Sequence, residues 1–208
     1  MNLIDRVYAN EIRAVAVKPD GRISTELPAS PVVLAGSFNP LHRGHRGLLE
    51  AGERMTGREG WFELSIENVD KADLPRDQLQ ARLEQFQAYR GVIVTRAARF
   101  VDKAKVIPGA TFAIGFDTAV RLVDDRYYGS AGGDKTEPRW SGALREIASL
   151  GGSFLVAGRA GNNGKFHELD ELEISVEFER LFRAVPQELF RADISSTELR
   201  TESGGDSG

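Results

Sequence analysis

Short apolar runs alternate with stretches of helical periodicity along most of the chain. Residues 31–36 (PVVLAG) form an apolar run that ends in glycine, the pattern of a buried strand, and 41–55 then read as a helix. Residues 61–66 (WFELSI) alternate in polarity and are rich in strand formers; behind them, 75–89 place Leu79, Leu83 and Phe86 at helical spacing. The pattern repeats with a strand at 91–95 (GVIVT) and a helix at 99–105. A strand at 111–115 (TFAIG) and a helix at 118–123 follow, then a helix at 141–150 and a strand at 153–157 (SFLVA). Short apolar strands separated by helices pair in parallel with both faces covered. The fold expected is α/β, a doubly wound, Rossmann-like parallel sheet of about five strands, with ligands at the C-terminal strand ends.

Three segments lie outside this scheme. Residues 1–29 read as an N-terminal extension with a hairpin around Asp20 and Gly21. Residues 129–139 (GSAGGDKTEPR) read as a mobile loop, and 201–208 (TESGGDSG) as a flexible tail with almost nothing to bury. The main domain then runs over 30–200.

Composition narrows the function classes. With 208 residues, 41% hydrophobic and 28% charged, the chain suits one globular domain and excludes a wholly disordered one. Lys and Arg number 27 against 31 Asp and Glu, a net charge of −4, and no basic run is present, so nucleic acid is not an expected partner. The absence of Cys removes disulfides, Cys-ligated zinc and thiol catalysis. No stretch approaches the roughly 18 apolar residues of a membrane span. The first ten residues lack a basic start followed by an apolar core, so a cytoplasmic protein is expected, off the membrane.

The richest segment is Gly36-Ser37-Phe38-Asn39-Pro40-Leu41-His42-Arg43-Gly44-His45, which joins the end of a buried strand to the start of a helix. Asn39 is a suitable cap and Pro40 a suitable first-turn residue. A helix N-terminus offers unpaired N–H groups and partial positive charge to an anion. His42 and His45 are three apart, so they share a face, and Gly44 lets a ligand approach the backbone. Alone, H-x-G-H also describes a helix start with two surface histidines; its place directly behind a strand and GSFNP favours a site. Two His without a third ligand do not make a metal site. A second segment, Asp193-Ile194-Ser195-Ser196-Thr197-Glu198-Leu199-Arg200, carries an S-x-x-E capping box at Ser195 and Glu198. It is either a cap alone or, with Ser196, Thr197 and Arg200, a second phosphate cradle. A third, Ile114-Gly115-Phe116-Asp117, puts a carboxylate at a strand end, where it either caps the next helix or accepts hydrogen bonds from a ribose diol.

Together these three segments resemble the H-x-G-H nucleotidyltransferase superfamily, most nearly the nicotinamide-nucleotide adenylyltransferases and their cytidylyltransferase-like relatives, over about residues 31–200. The resemblance implies transfer of AMP from ATP to the phosphate of a mononucleotide, most naturally nicotinamide mononucleotide, with release of pyrophosphate. It implies that His42, His45 and Arg200 are catalytic. Gly36, Ser37, Phe38, Gly115, Asp117, Ser196 and Thr197 would hold the nucleotide, with Mg²⁺ carried by the ATP phosphates and water. The partners implied are ATP and a small phosphorylated acceptor, with a homo-oligomer compatible with the chain. One departure stands out. These enzymes commonly carry a Trp soon after the Thr ending the third strand, whereas here the stretch is Thr95-Arg96-Ala97-Ala98-Arg99-Phe100. Phe100 is the candidate substitute, and Lys71, Arg96 and Arg99 are candidate contacts for the acceptor phosphate. The rival readings are a cytidylyltransferase acting on a phosphorylated alcohol or sugar, a non-catalytic nucleotide sensor, and a nucleotide hydrolase.

Overall fold

The computed structural model describes residues 2–68, 72–127, 138–161 and 165–191. Its main sheet has eight strands in the order β10-β7-β6-β3-β4-β5-β1-β2. The five strands expected from the sequence are β3 (Val32–Ala35), β4 (Gly60–Ser65), β5 (Val92–Thr95), β6 (Thr111–Gly115) and β7 (Ser153–Ala157). They pair in parallel throughout. The expectation of about five strands is corrected by three more. β10 (Phe182–Val185) extends the parallel run beside β7, while β1 (Ala14–Val17) and β2 (Ile23–Ser24) add an antiparallel hairpin beside β5. That hairpin turns at Asp20 and Gly21, where Gly21 takes a φ of +81°. A separate two-stranded ribbon joins β8 (Arg159–Ala160) to β9 (Phe166–His167).

The strands alternate in what they bury, and so create two apolar layers. Val32, Leu34, Phe62, Leu64, Val92 and Val94 face α1 (Leu3–Tyr8), α2 (Arg43–Thr56) and α3 (Arg76–Glu84). Val33, Trp61, Ile93, Phe112, Ile114 and Val156 face α4 (Phe100–Val106), α5 (Phe116–Leu122) and α6 (Arg139–Ser149). Helix α2 presents Leu48, Leu49, Ala51 and Gly52 to the first layer. It lies so close to the sheet that a Cβ on Gly52 would stand 2.7 Å from Val32 Cγ1.

This topology positions the site. Chain order runs from β3 outward to β4 and β5 on one side, then returns to β6, β7 and β10 on the other. The connections leaving β3 and β6 therefore diverge, and a crevice opens at their C-terminal ends, the usual ligand position in such sheets.

Candidate active site

The loop from β3 to α2 is built by buried contacts and side-chain hydrogen bonds. Phe38 is 1% exposed and adopts a φ of +46°, a left-handed conformation costly for a bulky side chain. Its ring meets His45, Phe62 and Phe86 edge-on at 4.9–5.4 Å between centroids. Helix α3 then fastens the loop. The Gln85 amide donates to the Phe38 carbonyl at 3.0 Å and accepts from the Leu41 N–H at 2.8 Å. Arg82 Nη1 donates to the Ser37 carbonyl at 3.1 Å. Neither residue stands out in the sequence, because a polar residue beside an apolar helix stripe is ordinarily a solvated one.

His42 is the N-cap of α2, rather than Asn39, which lies in the preceding loop together with the cis Asn39–Pro40 bond. The His45 N–H donates to His42 Nδ1 at 3.4 Å and the His42 N–H donates to His45 Nδ1 at 3.3 Å, a reciprocal capping box made by two imidazoles. The rings stack with centroids 3.5 Å apart. A Cβ on Gly44 would press to 3.1 Å from His42 Nδ1, so glycine makes room for the cap. Because a backbone N–H can only donate, the cap requires an unprotonated Nδ1 on each ring. The proton of neutral His45 then sits on Nε2. Burial, with a smaller contribution from the neighbouring His42, lowers the His45 pKa to about 4; burial also lowers that of His42. At neutral pH His45 is thus an uncharged N–H donor.

This shift carries a stability consequence. The unfolded chain takes up a proton near pH 6.5, well before folded His45 does near 4. The stabilisation from keeping His45 neutral is complete above pH 6.5 and is lost as pH falls towards 4. After discounting for partial solvent exposure, roughly 2 kcal/mol is at stake. Wild type should therefore lose that much more stability than His45→Gln between pH 7 and 4.5 in parallel urea titrations. Equal losses in the two proteins would refute the shifted pKa.

Two cavities open along the C-terminal edge. The first, about 310 Å³, lies over the β3–β6 divergence and is lined by His42, Gly44, His45, Gly115, Asp117 and Arg159 among others. Asp117 is ion-paired to Arg159, which enters from β8 and brings a guanidinium that the motifs do not announce. Asp117 makes no side-chain cap to α5. The wall beyond is aromatic: Phe116 lines the cavity and stacks on His167, the third histidine.

The second cavity, about 370 Å³, lies beyond β3 on the β4–β5 side and shares Ala35 and Thr118 with the first. Gly36, Ser37, Arg82 and Phe100 line it, and the buried pair Glu63–Lys103 also borders it. Burial lowers the pKa of Arg82. Phe100 is braced edge-on by Phe112 and Phe154.

The structure therefore brings His42, His45, Gly115 and Asp117 to one cavity, and Gly36, Ser37 and Phe100 to its neighbour. Phe38 lines neither and supports the loop from the core. The Gly36 N–H is engaged by the Glu63 carbonyl at 3.1 Å. Arg96 pairs with Asp73 and Arg99 with Asp102, and neither lines the second cavity. Ser196, Thr197, Arg200 and Lys71 lie outside the described residues.

No protein-family model matches the chain. It is 31% identical over 117 residues to a Schizosaccharomyces pombe protein named "Putative nicotinamide mononucleotide adenylyltransferase". That alignment covers 50% of this chain and 46% of the yeast protein, so the chain spans about half the length of the curated relative it matches. No helix among the described residues is long and apolar enough to cross a membrane.

Proposed function

We propose that this chain is a nucleotidyltransferase of the H-x-G-H type that transfers AMP from ATP to the phosphate of a mononucleotide, with nicotinamide mononucleotide as acceptor. The observation that carries the reading is the pair of cavities that adjoin at Ala35 and Thr118. A group transfer between two substrates needs two sites whose reacting ends meet. The similarity to the yeast relative supports the nucleotidyltransferase class.

ATP would occupy the histidine-lined cavity, with its ribose diol at Asp117 and Gly115 and its α-phosphate at the start of α2. The acceptor would occupy the cavity of Arg82 and Phe100, its phosphate towards Ser37. An acceptor phosphate oxygen then attacks the α-phosphorus, the bond from that phosphorus to the bridging oxygen breaks, and pyrophosphate departs. A phosphate monoester is already largely dianionic at neutral pH, so the attack requires no general base. The protein's work is alignment, together with stabilisation of charge spread over the phosphoryl oxygens. His45 Nε2–H is suited to that as a neutral, fixed donor. Ser196, Thr197 and Arg200 would hold the β- and γ-phosphates.

Among the described residues no three His, Asp or Glu side chains are grouped to hold a metal ion. Asp117 is already engaged by Arg159. Mg²⁺ fits this arrangement as part of the ATP substrate, bound through phosphates and water.

The test is a pyrophosphate-release screen of four nucleoside triphosphates against a panel of phosphomonoesters. The expected result is release with ATP and nicotinamide mononucleotide. Release with CTP and a phosphorylated alcohol would move the chain to the cytidylyltransferases. Release without any acceptor would make it a hydrolase, and no release from any pair would leave a nucleotide-binding protein without this activity.

A further inference from the structure

The reading of the second cavity as an acceptor site leaves one buried group without a task. Glu63 stands in β4 at 1% exposure, on the face it shares with Trp61, and Lys103 reaches it from α4 at 5% exposure. An ion pair in such surroundings is often no more stabilising than apolar side chains of the same size. Packing therefore does not account for it.

Glu63 and Lys103 both line the cavity, and their hydrogen bonds show which of their polar groups are already used. Lys103 Nζ spends its three donors on Glu63 Oε1 at 2.9 Å, Glu63 Oε2 at 2.8 Å and the Ala97 carbonyl at 2.7 Å. Ser65, which also borders the cavity, spends its hydroxyl proton on the same carbonyl at 2.9 Å. Thr95 Oγ1 donates to Glu63 Oε1 at 2.5 Å. Glu63 Oε1 thus receives two donors and Oε2 one, so Oε2 keeps a lone pair. Of these lining groups Lys103 and Ser65 have no proton left to give, and Glu63 keeps an acceptor. Arg82, which donates to the Ser37 carbonyl, and Phe100, a planar apolar surface, line the same cavity.

We infer that Glu63 is the specificity-determining residue of this cavity, selecting a phosphorylated acceptor whose planar head group carries an N–H donor, such as a carboxamide, over the corresponding carboxylic acid. The carboxamide N–H₂ matches the lone pair on Oε2. A carboxylate in the same place sets lone pairs against lone pairs and like charge against like. Lys103 and Thr95 are positioning residues, which hold the Glu63 carboxylate in one orientation. The inference rests on the acceptor reading proposed above.

The experiment compares kcat/KM for nicotinamide mononucleotide and nicotinic acid mononucleotide at saturating ATP. One hydrogen bond to a charged group corresponds to a preference of about 10–100-fold, and wild type should favour the amide by that factor. In Glu63→Gln the new side-chain N–H₂ welcomes an acid, so the ratio should fall at least about tenfold. Because that variant leaves the buried Lys103 facing a neutral partner, which costs stability, Glu63→Leu/Lys103→Met serves as the second variant; there the ratio should approach one. A wild-type ratio near one, a preference for the acid, or a ratio unchanged in the folded variants would overturn the inference. Calorimetric binding of the two mononucleotides without ATP separates it from the wider reading. If no turnover occurs with any pair, the proposed reaction falls. An amide preference in binding that the variants abolish would still support the role of Glu63, whereas equal or absent binding of both ligands would end it.

Discussion

Replacing His45 with alanine is expected to lower kcat by about 10²–10³-fold, the usual cost of losing one preorganised donor aimed at developing charge. The ATP dissociation constant should change far less, because in the proposed reading ground-state binding would be shared with Asp117 and the other groups assigned to ATP. A large fall in kcat with nearly constant affinity marks an interaction made mainly in the transition state. The variant also loses half of the reciprocal cap and an edge contact with Phe38, so its melting temperature must be measured alongside. A folded His45→Ala protein that retains wild-type kcat would remove the histidine pair from catalysis and with it the assignment of the first cavity.

The second large effect is on stability. Lys103→Met should destabilise the fold by about 3–5 kcal/mol, because it leaves the buried Glu63 carboxylate without its cation. For a domain of this size that corresponds to a fall in melting temperature of roughly 6–20 °C. Glu63→Leu/Lys103→Met removes both charges together and should lie close to wild type, since apolar replacement of a buried pair is often neutral or stabilising. The contrast between single and double variants is the diagnostic. Equal destabilisation by both would mean that the volume of these side chains, rather than their charge, supports the sheet.

Much of the α/β core is legible in the chain because its strands are short apolar blocks bounded by helical stretches. Val32 to Ala35 and Val92 to Thr95 carry little except buried positions, and in such runs burial on both faces is itself the signal. The hairpin of β1 and β2 announces itself through Asp20 and Gly21. β10 does not: its two middle residues, Arg183 and Ala184, are exposed, and only its ends, Phe182 and Val185, are buried. A four-residue strand with that pattern cannot be told from a loop. Helix α1 is also short, at six residues, and what marks it is the cap between Asn2 and Asp5.

The site divides the same way. His42, Gly44 and His45 are close in sequence, so their chemistry shows as a motif. Their reciprocal cap does not, because histidine is not an expected N-cap and the ring orientations depend on Phe38 packing beneath. Gln85, Arg82, Lys103 and Arg159 stand 40–47 residues along the chain from the loop groups and carboxylates they bind, and the fold alone makes them neighbours. Each also has an ordinary reading as a surface polar residue, and no local spacing separates the two. The same limit explains Arg96 and Arg99: both sit near the right strand end, but Arg96 pairs with Asp73, Arg99 pairs with Asp102 one turn on, and neither lines the cavity.

The wall between the two cavities has a pharmacological consequence. Where they adjoin, at Ala35 and Thr118, the side chains are small, and no large side chain is shared by the two linings. A single compound could cross there, with a nucleoside on the histidine side and a phosphorylated planar ring against Phe100. Once one half is bound, the other no longer searches bulk solvent but a volume set by the linker. A linker that matches the span can raise affinity by about 10²–10⁴-fold over either half without any new protein contact. The junction at Ala35 and Thr118 makes linker length and stiffness, rather than added functional groups, the variables that govern how tightly such a two-headed inhibitor holds.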